Sequence, residues 1–118
     1  MPRAIRTREA TAARDARVFR ALADPTRRRI LHVLGGGEMR AGDVARRFAI
    51  SRPAVSRHLG ILLEAGLLSV RVQGRERLYA IVPGPLRDAA GRLRALDALW
   101  EEKMALLGEH LARSRGER

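Results

Sequence analysis

Apolar residues return every three or four positions through most of the chain and every second position in one short stretch, and that change of period sets the order of elements. The run ISRPAVSRHLGILLEAGLL, Ile50 to Leu68, organises the rest. Ser51 is placed to cap a helix, and Pro53 falls in its first turn, where a missing N–H costs nothing. Val55, Leu59, Leu62 and Leu63 recur at i, i+4, i+7 and i+8 and share one stripe, leaving Pro53, Ser56, Arg57 and Gly60 toward the other side. Gly66 supplies a stop, so the pattern predicts a helix from about Arg52 to Ala65. Its exposed first half is small, hydroxylated and basic. That suits a DNA major groove, where arginine bonds guanine edges and backbone N–H groups meet phosphate; the same pattern alone also describes an ordinary amphipathic helix with solvated arginines.

Upstream, Val18, Phe19 and Leu22 predict a first helix over Ala13 to Ala23, preceded by a flexible basic arm, residues 1–12, that carries Arg3, Arg6 and Arg8. Asp24-Pro25 opens a second helix with Ile30, Leu31, Val33 and Leu34 inward and Arg27, Arg28 and Arg29 in its early turns, and Gly35-Gly36-Gly37 ends it. Val44, Ala45 and Phe48 place a short third helix over Ala41 to Ala49. The connection to the Ser51 cap is so short that the two helices form a helix-turn-helix.

After Gly66 the period drops to two. Leu68, Val70 and Val72 alternate with Ser69, Arg71 and Gln73, and Leu78, Ala80 and Val82 alternate with Arg77, Tyr79 and Ile81. Gln73-Gly74-Arg75-Glu76 makes the turn, with Gly74 free to take a positive φ. Arg71, Arg75 and Arg77 crowd this hairpin as they would a DNA-binding wing. Pro83-Gly84-Pro85 breaks the second strand. From Leu86 the apolar positions Leu86, Ala89 or Ala90, Leu93, Leu96, Trp100, Met104, Leu107 and Leu111 recur over about seven helical turns. So long a seam exceeds what packing within a small domain needs, and it predicts a dimerisation helix over 86–111, with folding back on the core as the alternative. Phe19 on the first helix is a second contributor to that interface. The expected fold is mainly α with a β-hairpin wing, a winged helix-turn-helix of order α-α-α-α-β-β-α, occupying residues 13–112 ahead of a disordered tail at 113–118.

Charge narrows the partner. The 118 residues carry 24 basic and 13 acidic side chains, a net +11, and Lys103 is the one lysine among the 24. The excess favours a polyanion. Aromatics at 3% are too few for single-strand binding by base stacking. With no cysteine, disulfides and thiolate metal sites are excluded. Neither a membrane-spanning apolar run nor a secretory leader is present in the sequence, so a cytoplasmic location is expected.

Three blocks, FRALADPTRRRILHVL (Phe19 to Leu34), SRPAVSRHLGILLEAGLL (Ser51 to Leu68) and VQGRERLYAI (Val72 to Ile81), together resemble the ArsR family of winged-helix bacterial repressors, in that family's order and spacing. The resemblance spans roughly Arg17 to Leu111. It implies a homodimer that binds an inverted repeat in promoter DNA and blocks transcription. On that basis the DNA-contacting set is Ser51, Arg52, Pro53, Ser56, Arg57 and His58 on the reading helix and Arg71, Gln73, Arg75 and Arg77 on the wing. His58 lies beside the apolar stripe, so a semi-buried structural imidazole is the other reading of that residue.

The family's metal sensors are where this sequence departs. Their third-helix cysteines would fall at Arg40 and Gly42, and the last-helix ligands at Pro83, Pro85, Leu96 and Leu99, none of which binds a metal here. Asp97 and His110 have a ligand-like separation but are out of register and lack companions. No metal and no cofactor are expected, and RPAVSRHL, GRERLY and Trp100-Glu101-Glu102 look more like the cysteine-free, SdpR-like branch. An enzyme is not expected, because Ser51, Ser56 and Ser69 lack a His/Asp relay and no glycine-rich phosphate loop opens a helix. The functional alternative is a small-molecule-responsive sensor whose effector binds between the terminal helices and releases DNA.

Overall fold

The computed structural model describes residues 3–116, in the order α1 (Arg3–Leu22), α2 (Pro25–Leu34), β1 (Met39–Arg40), α3 (Ala41–Phe48), α4 (Arg52–Glu64), β2 (Leu68–Gln73), β3 (Glu76–Ile81) and α5 (Pro83–Gly116). Of the described residues, those up to Arg87 form one compact unit and those from Asp88 onward a second. Among the described residues no helix is long and apolar enough to cross a membrane.

The core of the first unit is made from the stripes that the pattern marks. Val18, Ile30, Val44, Val55, Leu59, Leu62 and Leu67 are fully enclosed, so each helix of the unit buries one apolar edge. The junction between α1 and α2 is built from side chains that capping signals alone do not reveal. The Asp24 carboxylate accepts the Arg27 backbone N–H at 3.0 Å and caps α2. Two guanidinium groups then turn back onto the end of α1. Arg27 donates to the carbonyls of Ala21 (2.6 Å) and Arg20 (3.1 Å), and Arg28 to those of Leu22 (2.7 Å) and Ala23 (3.2 Å). The carbonyls of Ala21, Leu22 and Ala23 at the end of α1 thus acquire donors, and that of Arg20, which also accepts the Ala23 N–H at 3.3 Å, gains a second.

Between α3 and α4 the chain turns at Ala49, a non-glycine residue at φ 53°, ψ 38°. A Cβ in this left-handed region is strained, so Ala49→Gly should raise stability by roughly 1 kcal/mol, read as a higher midpoint in urea denaturation.

The sheet is antiparallel with strand order β1-β3-β2. The short β1 is an addition to the expected order: Met39 lies opposite Tyr79 and Arg40 opposite Leu78. The hairpin register pairs Leu68 with Ile81, Val70 with Tyr79 and Val72 with Arg77. Directly opposed residues share a face, so the phase of β3 is the reverse of the expected one. Tyr79 is buried on the Leu68 face, whereas Leu78 and Ala80 lie opposite Arg71 and Ser69. Gly74 takes φ 64° in the turn, as expected.

Both ends of the chain differ from expectation. Helix α1 starts at Arg3 instead of near Ala13, so the residues read as a basic arm are helical from Arg3 on; Met1 and Pro2 lie outside the described residues. The Ala, Arg and Glu content of residues 3–12 supports a helix even though Ile5 alone is large and apolar there and shows no period. Helix α5 starts at Pro83, three residues before Leu86, because proline suits the first helical position, and it runs to Gly116, through the first residues of the expected tail. Residues 117–118 lie outside the described part.

Candidate nucleic-acid interface

The Ser51 hydroxyl accepts the Ala54 N–H at 3.2 Å, and Arg52 and Pro53 form the first turn of α4. Val55, Leu59 and Leu62 anchor the helix inward. Ser51, Arg52, Pro53, Ser56 and Arg57 are all exposed, so the structure gathers five of the six expected residues of this helix on one outward surface. His58 is the exception and corrects the expectation. It is 8% exposed and faces α2, its Nδ1 lying 3.5 Å from Arg27 Nη1 and 3.9 Å from Asp24 Oδ2. Of its two readings, the structural imidazole is the one the geometry supports.

The start of α3, the start of α4 and the hairpin enclose a groove of about 490 Å³. Arg52 and Ser56 come from α4, Ala41, Gly42, Asp43 and Arg46 from α3, and Arg75, Glu76, Arg77 and Tyr79 from the hairpin, with Arg40 between them. The Arg52 guanidinium lies over Gly42, where a Cβ would come within 3.1 Å of its Nη1.

Carboxylates sort the cations in and beside this groove into two groups. Arg40 donates to Glu76 at 2.7 Å and lies 3.8 Å from Asp43, and Asp43 also holds Arg46. These bonds tie the hairpin to the start of α3 and set the angle at which the wing stands. Arg52, Arg57, Arg75 and Arg77 form no ion pair among the described residues and stay exposed. Sequence reasoning missed the tying set, although the i, i+3 spacings of Arg40, Asp43 and Arg46 were a signal for part of it.

Arg71 differs from the other wing residues. It sits on the sheet face opposite that of Arg77, and its Nε and Nη2 donate to the two oxygens of Glu38 at 2.9 and 2.5 Å. Its charge is paired within the chain, and the bidentate bonds tie the hairpin to Glu38, one residue ahead of β1. Gln73 is exposed and opposite Glu76, next to the turn.

Hydrogen bonding also sets the acid response. The Arg27 backbone N–H holds the Asp24 carboxyl below its ordinary 3.8, and the Arg71 side chain holds Glu38 below its ordinary 4.5. A carboxyl lowered on folding contributes stability that is complete above its unfolded value and is lost as pH falls through the folded one. Thermal denaturation should therefore be flat from neutral pH down to about pH 5 as far as these groups go and fall below it, with a smaller fall in Asp24→Asn.

On α5, Leu93, Leu96, Trp100, Met104, Leu107 and Leu111 form one stripe at helical spacing, flanked by Leu99 and Leu106, and all eight are 47–58% exposed. Phe19 and Leu86, the other two expected interface residues, are half-buried.

A helix-turn-helix domain model matches residues 22–71, from the end of α1 into β2. The transcriptional repressor SdpR of Bacillus subtilis is 46% identical over 72 residues, 61% of this chain and 80% of that protein. Among solved structures, an ArsR-like transcriptional regulator from Rhodococcus sp. RHA1 matches with a TM-score of 0.72 and 36% identity, over 83% of this chain and 92% of that one. The homodimeric winged helix-turn-helix DNA-binding domain of a possible ArsR-family regulator from Mycobacterium bovis matches with a TM-score of 0.64 and 29% identity, over 75% and 83%. Likeness in sequence and likeness in fold agree, and the chain belongs to the ArsR family of winged helix-turn-helix transcriptional repressors and regulators, DNA-binding proteins and not enzymes.

Proposed function

We propose that the protein is a homodimeric repressor that binds an inverted-repeat operator in duplex DNA and needs no metal to do so. The observation that carries this reading is the set Arg52, Arg57, Arg75 and Arg77. These are four exposed guanidinium groups with no acid partner among the described residues, three of them around one groove and Arg57 beside it on α4. Ser56 adds a hydroxyl to the groove, Ser51 another at the start of α4, and Gln73 an amide beside the turn of the wing. Residues on α4 are the base readers in this proposal, and Arg75 and Arg77 hold the phosphate backbone.

Two observations support a dimer. The α5 stripe is a run of large apolar side chains that are about half exposed, and such surfaces mark interfaces. The Mycobacterium bovis relative is described as homodimeric. A two-fold molecule reads a two-fold site, so the half-sites should be about one DNA turn apart, roughly 34 Å. Independence from metal rests on Arg40 and Gly42, which stand where a third-helix thiolate pair would be; Arg40 is already bonded to Glu76. The setting is the cytoplasm, where the promoter DNA is.

Fluorescence anisotropy on a palindromic promoter fragment tests this. If the dimer neutralises about eight phosphates, log affinity should fall against log salt with a slope of about −7, with and without a chelator. A slope near zero contradicts the proposal.

A further inference from the structure

A second cleft, of about 340 Å³, lies between α1, α2 and α4, away from the groove just described. Ala21, Ile61 and Ala65 give it an apolar floor, Arg17, Arg20 and Arg27 contribute three cations, and Glu64 is its one acid. We propose that this cleft binds a small organic anion with an apolar body, and that Arg27 passes its occupancy to the reading helix. The binding step stands by itself; the effect on DNA rests on the operator-binding reading above.

The chemistry of the lining selects the ligand class. Small-molecule sites are mostly apolar with a few polar groups that orient the ligand, and this cleft is at the lower end of their usual size. Arg17 and Arg20 are exposed and form no ion pair among the described residues. A guanidinium fork matches a carboxylate or sulfonate in shape and charge. The floor demands more than an inorganic ion, because Ile61 and Ala65 offer nothing to sulfate and gain from covering by hydrocarbon.

Arg27 connects the cleft to α4 from within. It donates through Nε to the Ala21 carbonyl and through Nη2 to the Arg20 carbonyl, while Nη1 lies 3.5 Å from Nδ1 of His58. His58 is on α4, one residue beyond Arg57, and its side chain is almost fully enclosed. An anion in the cleft competes for the same guanidinium. Drawing Arg27 toward it withdraws Nη1 from His58 and loosens the C-terminal turn of α1, so α4 loses a fixed support on its inner face. A ligand shifts such an equilibrium only by its differential affinity for the two arrangements, and the Arg27 bonds are that difference.

The test uses the full-length protein and sodium 4-phenylbutyrate as probe, followed by 1H-15N NMR. Shifts should concentrate at residues 17–21 and 61–65, and the double variant Arg17→Ala/Arg20→Ala should weaken the probe at least tenfold; both side chains are exposed, so folding is preserved. Sodium sulfate at equal ionic strength should leave these signals in place. Shifts that gather instead around Arg52 and Arg75 or along α5, an equal response to sulfate, an unchanged affinity in the double variant, or no shift at any probe concentration overturn the site. In anisotropy, saturating probe should weaken operator binding by the wild-type protein at least threefold and leave the double variant unaffected. Unchanged wild-type affinity overturns the coupling, whereas failure to bind duplex DNA with no probe present would overturn the operator reading instead.

Discussion

Trp100→Glu should turn the protein into a folded monomer that has lost operator binding. Trp100 is 58% exposed in the single chain and sits mid-way along the α5 stripe, so the chain's own core does not depend on it. In a two-fold interface the same patch meets itself, and each substitution counts twice. Two carboxylates would then be brought together and removed from water with no partner, which costs several kcal/mol. Every 1.4 kcal/mol is a factor of ten, so dimer affinity should fall by roughly a hundredfold or more. A monomer holds one half-site and forgoes the second, and operator affinity should drop at least as steeply. Sedimentation velocity and anisotropy read the two losses, and circular dichroism should stay helical. A variant that remains dimeric and binds the operator as before would show that α5 is not the seam.

Arg57→Ala and Arg75→Ala should fail in different ways. Arg57 is exposed on α4 with no carboxylate among the described residues to hold it, and as a base reader it should give one base pair per half-site its identity. Losing a bidentate guanine contact costs about 1–3 kcal/mol, so operator affinity should fall about ten- to a hundredfold, with a much smaller change on random duplex. Arg75 lies beside the turn of the wing and lines the groove. As a phosphate contact its loss should weaken all duplexes alike and reduce the salt slope by about one per site lost. Equal losses from both variants on specific and random DNA would mean that α4 does not read bases.

Much of this interface was legible because its signals are local. The Ser51 cap, Pro53, the stripe from Val55 to Leu62 and the turn at Gly74 are each set by a few neighbouring residues, and the structure has them as the pattern implies. What sequence reasoning missed depends on distance or on ambiguity. The two residues of β1 are too few to show a period. In β3 both sets of alternate positions contain apolar residues, so Leu78 and Tyr79 compete for the inward face, and only pairing with Met39 and Val70 decides it. Arg71 finds Glu38 across 33 positions, and His58 meets Arg27 across 31, so their fates follow from folding and not from spacing. The start of α1 was hidden for a different reason: Ile5 is its one large apolar residue before Val18, too few to trace a stripe.

The most direct test of two copies reading one face of a duplex is selection of DNA from a random pool by the purified protein, followed by sequencing. The selected fragments should converge on an inverted repeat whose half-sites are centred roughly ten base pairs, one helical turn, apart. A pool that stays random, or that converges on a single asymmetric site, would contradict it.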